Sequence, residues 1–292
     1  MYILDSHIHF GDGDPVNGSY KEQQKKYLSE LAAAGVSGSQ IMSKDPRLAK
    51  ELGCEGRLRE LMEFCDGADN LYPFYWIDPM EDDFLEQIDK AYNAGVDGFK
   101  IICSGFYPGD ENVLAACTKI AELGKPVLFH SGILWDGVDS SRYNRPGEYE
   151  SLLEVPDLKF CLAHVSWPWT DECIAVYGKF NNAFSRRPEL SCEMFIDITP
   201  GTPHVYREEV FKRLFCSDYQ VKYNVMFGSD CNTDGYNVAW TKDWVATDVP
   251  LIRKFNPNDP DDVIEHVYSK NFLRFMGKID EDIKREYPGV AE

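Results

Sequence analysis

The sequence predicts a (β/α)8 barrel, and three observations carry that expectation. Short apolar strands alternate with amphipathic helices along the whole chain, and eight strands can be counted. The 292 residues are close to the roughly 250 that one such barrel uses. A doubly wound open sheet would give the same alternation, but no GxGxxG follows the first strand and no P-loop is present. There is no low-complexity linker and no break in composition, so residues 1–292 read as a single domain.

The elements follow in order. Residues 2–9 predict the first strand, in which Asp5, His7 and His9 share one face and Ile8 takes the other. After a Gly/Asp loop, Ser19-x-x-Glu22 reads as a capping box. The helix it opens carries Tyr27, Leu28, Leu31 and Ala32 on one face and ends at Gly35. Val36 to Met42 is the second strand, Pro46 to Cys65 is helical, and Leu71 to Ile77 is the third strand. Phe84, Leu85, Ile88, Ala91 and Tyr92 mark the next helix by their spacing. Gly98 to Cys103, Pro126 to His130, Leu158 to Ala163, Cys192 to Ile198 and Val225 to Ser229 supply strands four to eight. Helices are expected from about Glu111 to Leu123, from a cap near Thr170, and from Tyr206 to Phe215. A long irregular loop runs from Ser131 to about Gly147. Two helices close the chain, the clearer one carrying Val263, Ile264, Val267, Tyr268 and Phe272.

Composition narrows the function classes. Hydrophobic residues are 43% and charged residues 27%, the balance of a soluble globular chain. No apolar run reaches the roughly 18–20 residues of a membrane span. The net charge of −19 repels nucleic-acid phosphates and anionic membranes, which excludes both as partners. Nine cysteines show no CxxC pair, and Met1-Tyr2-Ile3-Leu4-Asp5 has no export signal. The cysteines therefore read as free thiols in a reducing cytoplasm.

The polar residues at strand ends carry the chemistry. His7 and His9 end strand one, Lys100 lies in strand four, His130 ends strand five, His164 ends strand six and Asp230 ends strand eight. In a barrel these ends converge on one mouth. Four of the six histidines fall there, which scattered surface histidines would not do.

Leu4-Asp5-Ser6-His7-Ile8-His9, Gly98-Phe99-Lys100-Ile101, Leu128-Phe129-His130-Ser131-Gly132, Leu162-Ala163-His164 and Phe227-Gly228-Ser229-Asp230 appear in that order. Tyr268 to Phe275 closes the set. Together they resemble the amidohydrolase superfamily of metal-dependent barrels, in particular the branch that includes the aminocarboxymuconate-semialdehyde decarboxylase-like enzymes. The resemblance implies that His7, His9, His130 and Asp230 hold one divalent metal, usually zinc, a donor set that suits that ion. It implies that Asp230 takes a proton from an activated water. It leaves His164 either catalytic beside one metal or a ligand to a second, which a carboxylated Lys100 would share. Lys100 otherwise pairs with a carboxylate or with substrate. Asp5 either orients one of the histidines or caps the barrel bottom. His204 follows strand seven and could rim the mouth, whereas His266 is peripheral.

The loops after strands five and six hold Trp135, Arg142, Arg145 and Trp167, with Asp136, Tyr143 and Trp169 beside them. They predict an aromatic wall with two guanidinium groups, suited to a small planar or carboxylated substrate, or else a loop packed on itself or on a second copy. The expected activity is hydrolysis of an ester, lactone or amide by a metal-activated water. Non-oxidative decarboxylation of an aromatic or muconate-like acid, with Arg142 or Arg145 gripping the carboxylate, is the alternative. An inactive ligand-binding barrel is the third reading. A homodimer is the default assembly for such a fold.

Overall fold

Parallel pairing runs around the whole set of strands in the computed structural model, which describes residues 1–281 apart from 14, 16 and 17. Strand β1 consists of two short stretches, Leu4–Asp5 and Ile8–His9. It is followed by β2 Gly38–Met42, β3 Leu71–Trp76, β4 Gly98–Ile101, β5 Val127–Phe129, β6 Lys159–Leu162 and β7 Glu193–Asp197. Strand β8 is again two stretches, Val225–Met226 and Cys231–Asn232. Each strand pairs with the next in sequence. Cys231 and Asn232 then pair with Ile8 and His9, and the Ser6 N–H donates to the Phe227 carbonyl at 3.0 Å, which closes the ring. This is the expected α/β barrel.

Helices α1 Lys21–Ala34, α2 Gly53–Cys65, α3 Phe84–Ala94 and α4 Glu111–Glu122 cover the first half. Helices α5 Thr170–Arg186, α6 His204–Phe215 and α7 Val238–Phe255 cover the second. Their apolar faces pack on the outward side chains of the strands, such as Ile41, Tyr75, Phe99 and Phe160. The inward side chains form a separate core of Leu4, Met42, Phe74, Leu128, Cys161 and Phe195. Phe272 and Phe275 of α9 (Asn271–Phe275) plug that core from the end where the strands begin. Burying each ring there contributes roughly 2–3 kcal/mol. Arg274 fixes the plug by an ion pair to Glu193, the first residue of β7. Blocking one end leaves only the other, where the strands finish, as a mouth.

Local chemistry differs from expectation at four places. The Ser19–Glu22 capping box does not form: Tyr20 is the N-cap, so Glu22 stands one position too early to reach back. The Ser19 hydroxyl instead accepts the Lys21 N–H at 3.3 Å. Pro46 to Cys65 is not one helix, because Gly53 sits at φ 60° and ψ −177°, a conformation that breaks helical continuity. The closing helix is split into α8 Pro260–Glu265, a π-turn His266–Lys270 and α9.

The fourth difference concerns the opening motif. The break at Ser6–His7 resets the alternation of β1. Leu4 packs inside the barrel, while Asp5 accepts hydrogen bonds from the Ser229 N–H at 2.9 Å and the Tyr236 hydroxyl at 3.0 Å. It also accepts the His7 N–H at 3.2 Å. Asp5 therefore does not share the histidines' face. It ties the backbone of β1 to that of β8.

This carboxyl is fully buried, and burial pushes it from the ordinary 3.8 up to about 6. A raised native pKa means the native state holds its proton longer than the unfolded chain. The group's stabilisation is thus present below about pH 4 and lost as pH rises through about 6. At about 1.4 kcal/mol per pH unit the loss is about 3 kcal/mol. In Asp5→Asn, the amide oxygen keeps both backbone contacts and the amide N–H can donate to Tyr236. Relative to the wild type, the variant should therefore gain stability between pH 4 and 7. Thermal melts of both proteins across that range check it; a difference that does not change with pH would contradict the account.

Candidate metal centre and active site

Three side chains converge where β1 and β8 end. The His7 Nε2 lies 3.4 Å and the His9 Nε2 3.2 Å from the Asp230 Oδ1. Ligand atoms of all three fall within 4.8 Å of one another, and theirs is the one such group of three or more His, Cys, Asp or Glu among the described residues. His7 is buried, His9 is partly exposed and Asp230 is about one third exposed. Asp230 stands at φ 60°, in the left-handed region, where Asp and Asn are the better-tolerated non-glycine residues. Its N–H donates to the His7 carbonyl at 3.1 Å.

The protons of this donor set leave a place for a cation. The His7 Nδ1 sits 2.9 Å from Asp197 Oδ2, so Nδ1 carries the ring proton and Nε2 presents a lone pair. That lone pair faces a carboxylate oxygen, and two acceptors at 3.4 Å need a cation or a proton between them. A proton is disfavoured: burial, with the Lys100 charge, pushes His7 down to about 4. Burial alone would raise the Asp230 carboxyl, but the His9 hydrogen bond and the fields of His7, His164 and His9 hold it well below the usual range. The Nε2 lone pair of His7, the His9 imidazole and an ionised carboxylate form a donor set that suits a divalent ion. Gly228 keeps the approach open, since a Cβ there would lie 2.8 Å from the His7 Cβ and 2.5 Å from the Thr199 Oγ1.

His130 and His164 stand next to this group. The ring centroid of His164 is 5.0 Å from that of His7 and 5.0 Å from that of His130. His130 lies outside the three-residue group, with its Nε2 3.3 Å from the Ile133 carbonyl. Burial and the charges of His164 and Lys100 push it well below the usual imidazole value. The His164 Nδ1 is buried and has no hydrogen-bond partner. Lys100 is fully buried in β4 and its Nζ also lacks a partner; burial, partly offset by Asp197 and Asp230, lowers it to about 8.

His9, His130, His164 and Asp230 line a cavity of about 640 Å³, whose walls also include Trp76, Ile102, Ile133, Trp135 and Trp167. Trp135 is 85% exposed, and Trp167 stacks on Tyr206 at 5.1 Å. Arg142 and Arg145 do not line it. Arg142 lies over Tyr143 and 3.4 Å from Asp139. Arg145 donates to Glu172 at 2.8 Å and covers Trp169. The guanidinium on the cavity wall is Arg47, gripped by Asp45 at 3.0 and 2.6 Å over the ring of Trp76. His204 starts α6 and stacks on Trp244 at 4.0 Å, away from the cavity. His266 bonds Asp262 and Glu281 at the periphery.

Sequence reasoning missed Arg47 and Asp197. The first fell inside a span read as helix. The second is the single acid at the end of a buried apolar strand, Met194-Phe195-Ile196-Asp197, and that burial was the available signal.

The barrel, its blocked lower end and the His/Asp cluster at its mouth define an α/β barrel with a candidate metal site. The family model described as Amidohydrolase matches residues 4–277, and the chain belongs to that family. No curated protein matches the chain. Among solved structures, it is similar to 2,6-dihydroxybenzoate decarboxylase from Rhizobium, with a TM-score of 0.63 and 12% identity over 95% of this chain and 99% of that one. An amidohydrolase from Burkholderia multivorans with bound zinc gives 0.61 and 11% over 95% and 99%. A protein from Acinetobacter baumannii described as a probable 2-pyrone-4,6-dicarboxylic acid hydrolase, with citric acid bound, gives 0.58 and 10% over 95% and 100%. Identities this low speak for the fold. No helix among the described residues is long and apolar enough to cross a membrane.

Proposed function

We propose that the protein is a hydrolase acting on an ester, lactone or amide of a small substrate with a planar, carboxylated or aromatic body. The carrying observation is the convergence of His7 Nε2, His9 Nε2 and an ionised, partly exposed Asp230, the last two on the cavity wall. His7, His9 and Asp230 would hold a zinc ion, and His130 is the candidate fourth ligand. Such an ion supplies Lewis-acid chemistry and lowers the pKa of a water. Asp230, ionised and about one third exposed on the cavity wall, accepts the proton of the attacking water. His164, on the cavity wall, donates a proton to the leaving group. Trp76, Trp135 and Trp167 pack the planar body, and Arg47 takes the place expected of Arg142 and Arg145 in meeting a carboxylate. Nine cysteines scattered without a CxxC pair support a reducing, cytoplasmic setting.

Decarboxylation of an aromatic acid is the second reading. The apolar wall of Trp76, Ile102, Ile133 and Trp167 favours it, because a dry wall disfavours a carboxylate more than the neutral product. The test is turnover of aryl esters, lactones and dihydroxybenzoates in ¹⁸O-labelled water by the zinc-loaded enzyme. Label in the product acid supports hydrolysis. Evolved carbon dioxide from unlabelled product overturns it in favour of the second reading.

A further inference from the structure

Asp197, the last residue of β7, is fully buried and divides its two oxygens between two tasks. Oδ2 faces the His7 Nδ1 at 2.9 Å. Oδ1 accepts the N–H groups of His164 at 2.7 Å and Thr199 at 3.0 Å. The residues that follow its first backbone partner are unusual. His164, Val165 and Ser166 stand at φ 59°, 45° and 54°, three consecutive non-glycine residues in the left-handed region, one of them β-branched. Such a turn persists only where its surroundings over-determine it. Its first N–H ends on Asp197, and its last side chain receives the Ser131 hydroxyl at 2.7 Å.

We propose that Asp197 is the positioning residue that couples the metal site to the His164 turn, one oxygen setting the tautomer of His7 and the other holding the turn that presents His164. The chemistry of a carboxylate makes the coupling possible. Both of its oxygens accept, so it can take the His7 Nδ1 proton and two backbone N–H groups at once. His7 then keeps its Nε2 lone pair for a metal, and the His164 ring is held 5.0 Å away.

An amide cannot do both. With its oxygen toward the two N–H groups, its NH2 faces His7 Nδ1, which must become the acceptor; the ring proton moves to Nε2 and the metal-facing lone pair is gone. With its oxygen toward His7, its NH2 opposes two N–H donors and the turn loses its anchor. Asp197→Asn therefore sacrifices one arm and keeps the other.

The proposal rests on the metal reading above, but its spectroscopic readouts need no turnover, so failure of the hydrolase reading leaves them decisive. The experiment uses full-length ¹⁵N-labelled protein, metal-free and then titrated with zinc alone. In the wild type, long-range ¹⁵N spectra should show His7 protonated at Nδ1 before zinc is added; protonation at Nε2 overturns the proposal without any variant. In Asp197→Asn, one of two results supports it. Either His7 moves to the Nε2 proton and zinc affinity falls roughly 10–100-fold with the 164–166 amide signals unchanged, or those amide signals shift while the His7 tautomer stays. No change in either overturns it. So does the loss of both in a variant whose near-UV circular dichroism remains native.

Discussion

Replacing Asp230 with Asn should lower kcat by about a thousandfold, within the 10²–10⁴ range that a positioned acid–base group supplies. The change is nearly isosteric, so the 3.2 and 3.4 Å approaches of His9 and His7 to this side chain can survive. What is lost is the negative charge and the ability to accept a proton. Asp230 is also held at φ 60°, where Asn is among the better-tolerated residues, so the backbone should not resist the exchange. The measurement is kcat on whichever ester or lactone turns over in labelled water, with a melting curve to show that the variant is folded. A loss smaller than tenfold would remove Asp230 from the role of base.

His9→Ala should abolish zinc binding and reduce turnover to background. Zinc content after gel filtration should fall from about one equivalent to below a tenth. His9 is the cleaner of the two histidines to test. Its side chain is 29% exposed, so its loss leaves little cavity. His7 is buried and bonded to Asp197, and His7→Ala would combine metal loss with an unpaired buried carboxylate. Undiminished turnover by metal-free wild-type protein would sink the metal reading altogether.

The frame of the protein was legible because its periodicities are local. Strands such as Gly98–Ile101 and Val127–Phe129 are short apolar runs between breakers, and α3 shows its buried stripe in Phe84, Ile88 and Ala91. His7 and His9 could be read as a pair because a period of two puts them on one side of a strand. That rule failed for Asp5 only because the strand is interrupted at Ser6–His7, and no residue there announces a break. The capping box failed by a single residue of helix start, the least determined feature of any helix.

The loops were illegible for a different reason. Arg142 and Arg145 share a segment with Trp135, and nothing in that segment says which residues turn toward the mouth. Arg145 is claimed by Glu172, 27 residues on, while Arg47 reaches the cavity from a stretch that pattern alone reads as helix.

By itself, then, the sequence determined the barrel, the direction of its mouth and the residues His7, His9, His130, His164 and Asp230 that strand ends deliver there. Those follow from hydrophobic spacing, which acts between neighbours in the chain. Only the tertiary structure decided that Asp197 serves His7 across 190 residues, that Asp5 serves the backbone instead, and that Arg47 is the cation on the wall. The first two are long-range hydrogen bonds, and such contacts exist only once closure of the barrel has brought distant strand ends within about 3 Å of each other. The third follows from where the segment after β2 lays Arg47, paired with its neighbour Asp45, over the ring of Trp76.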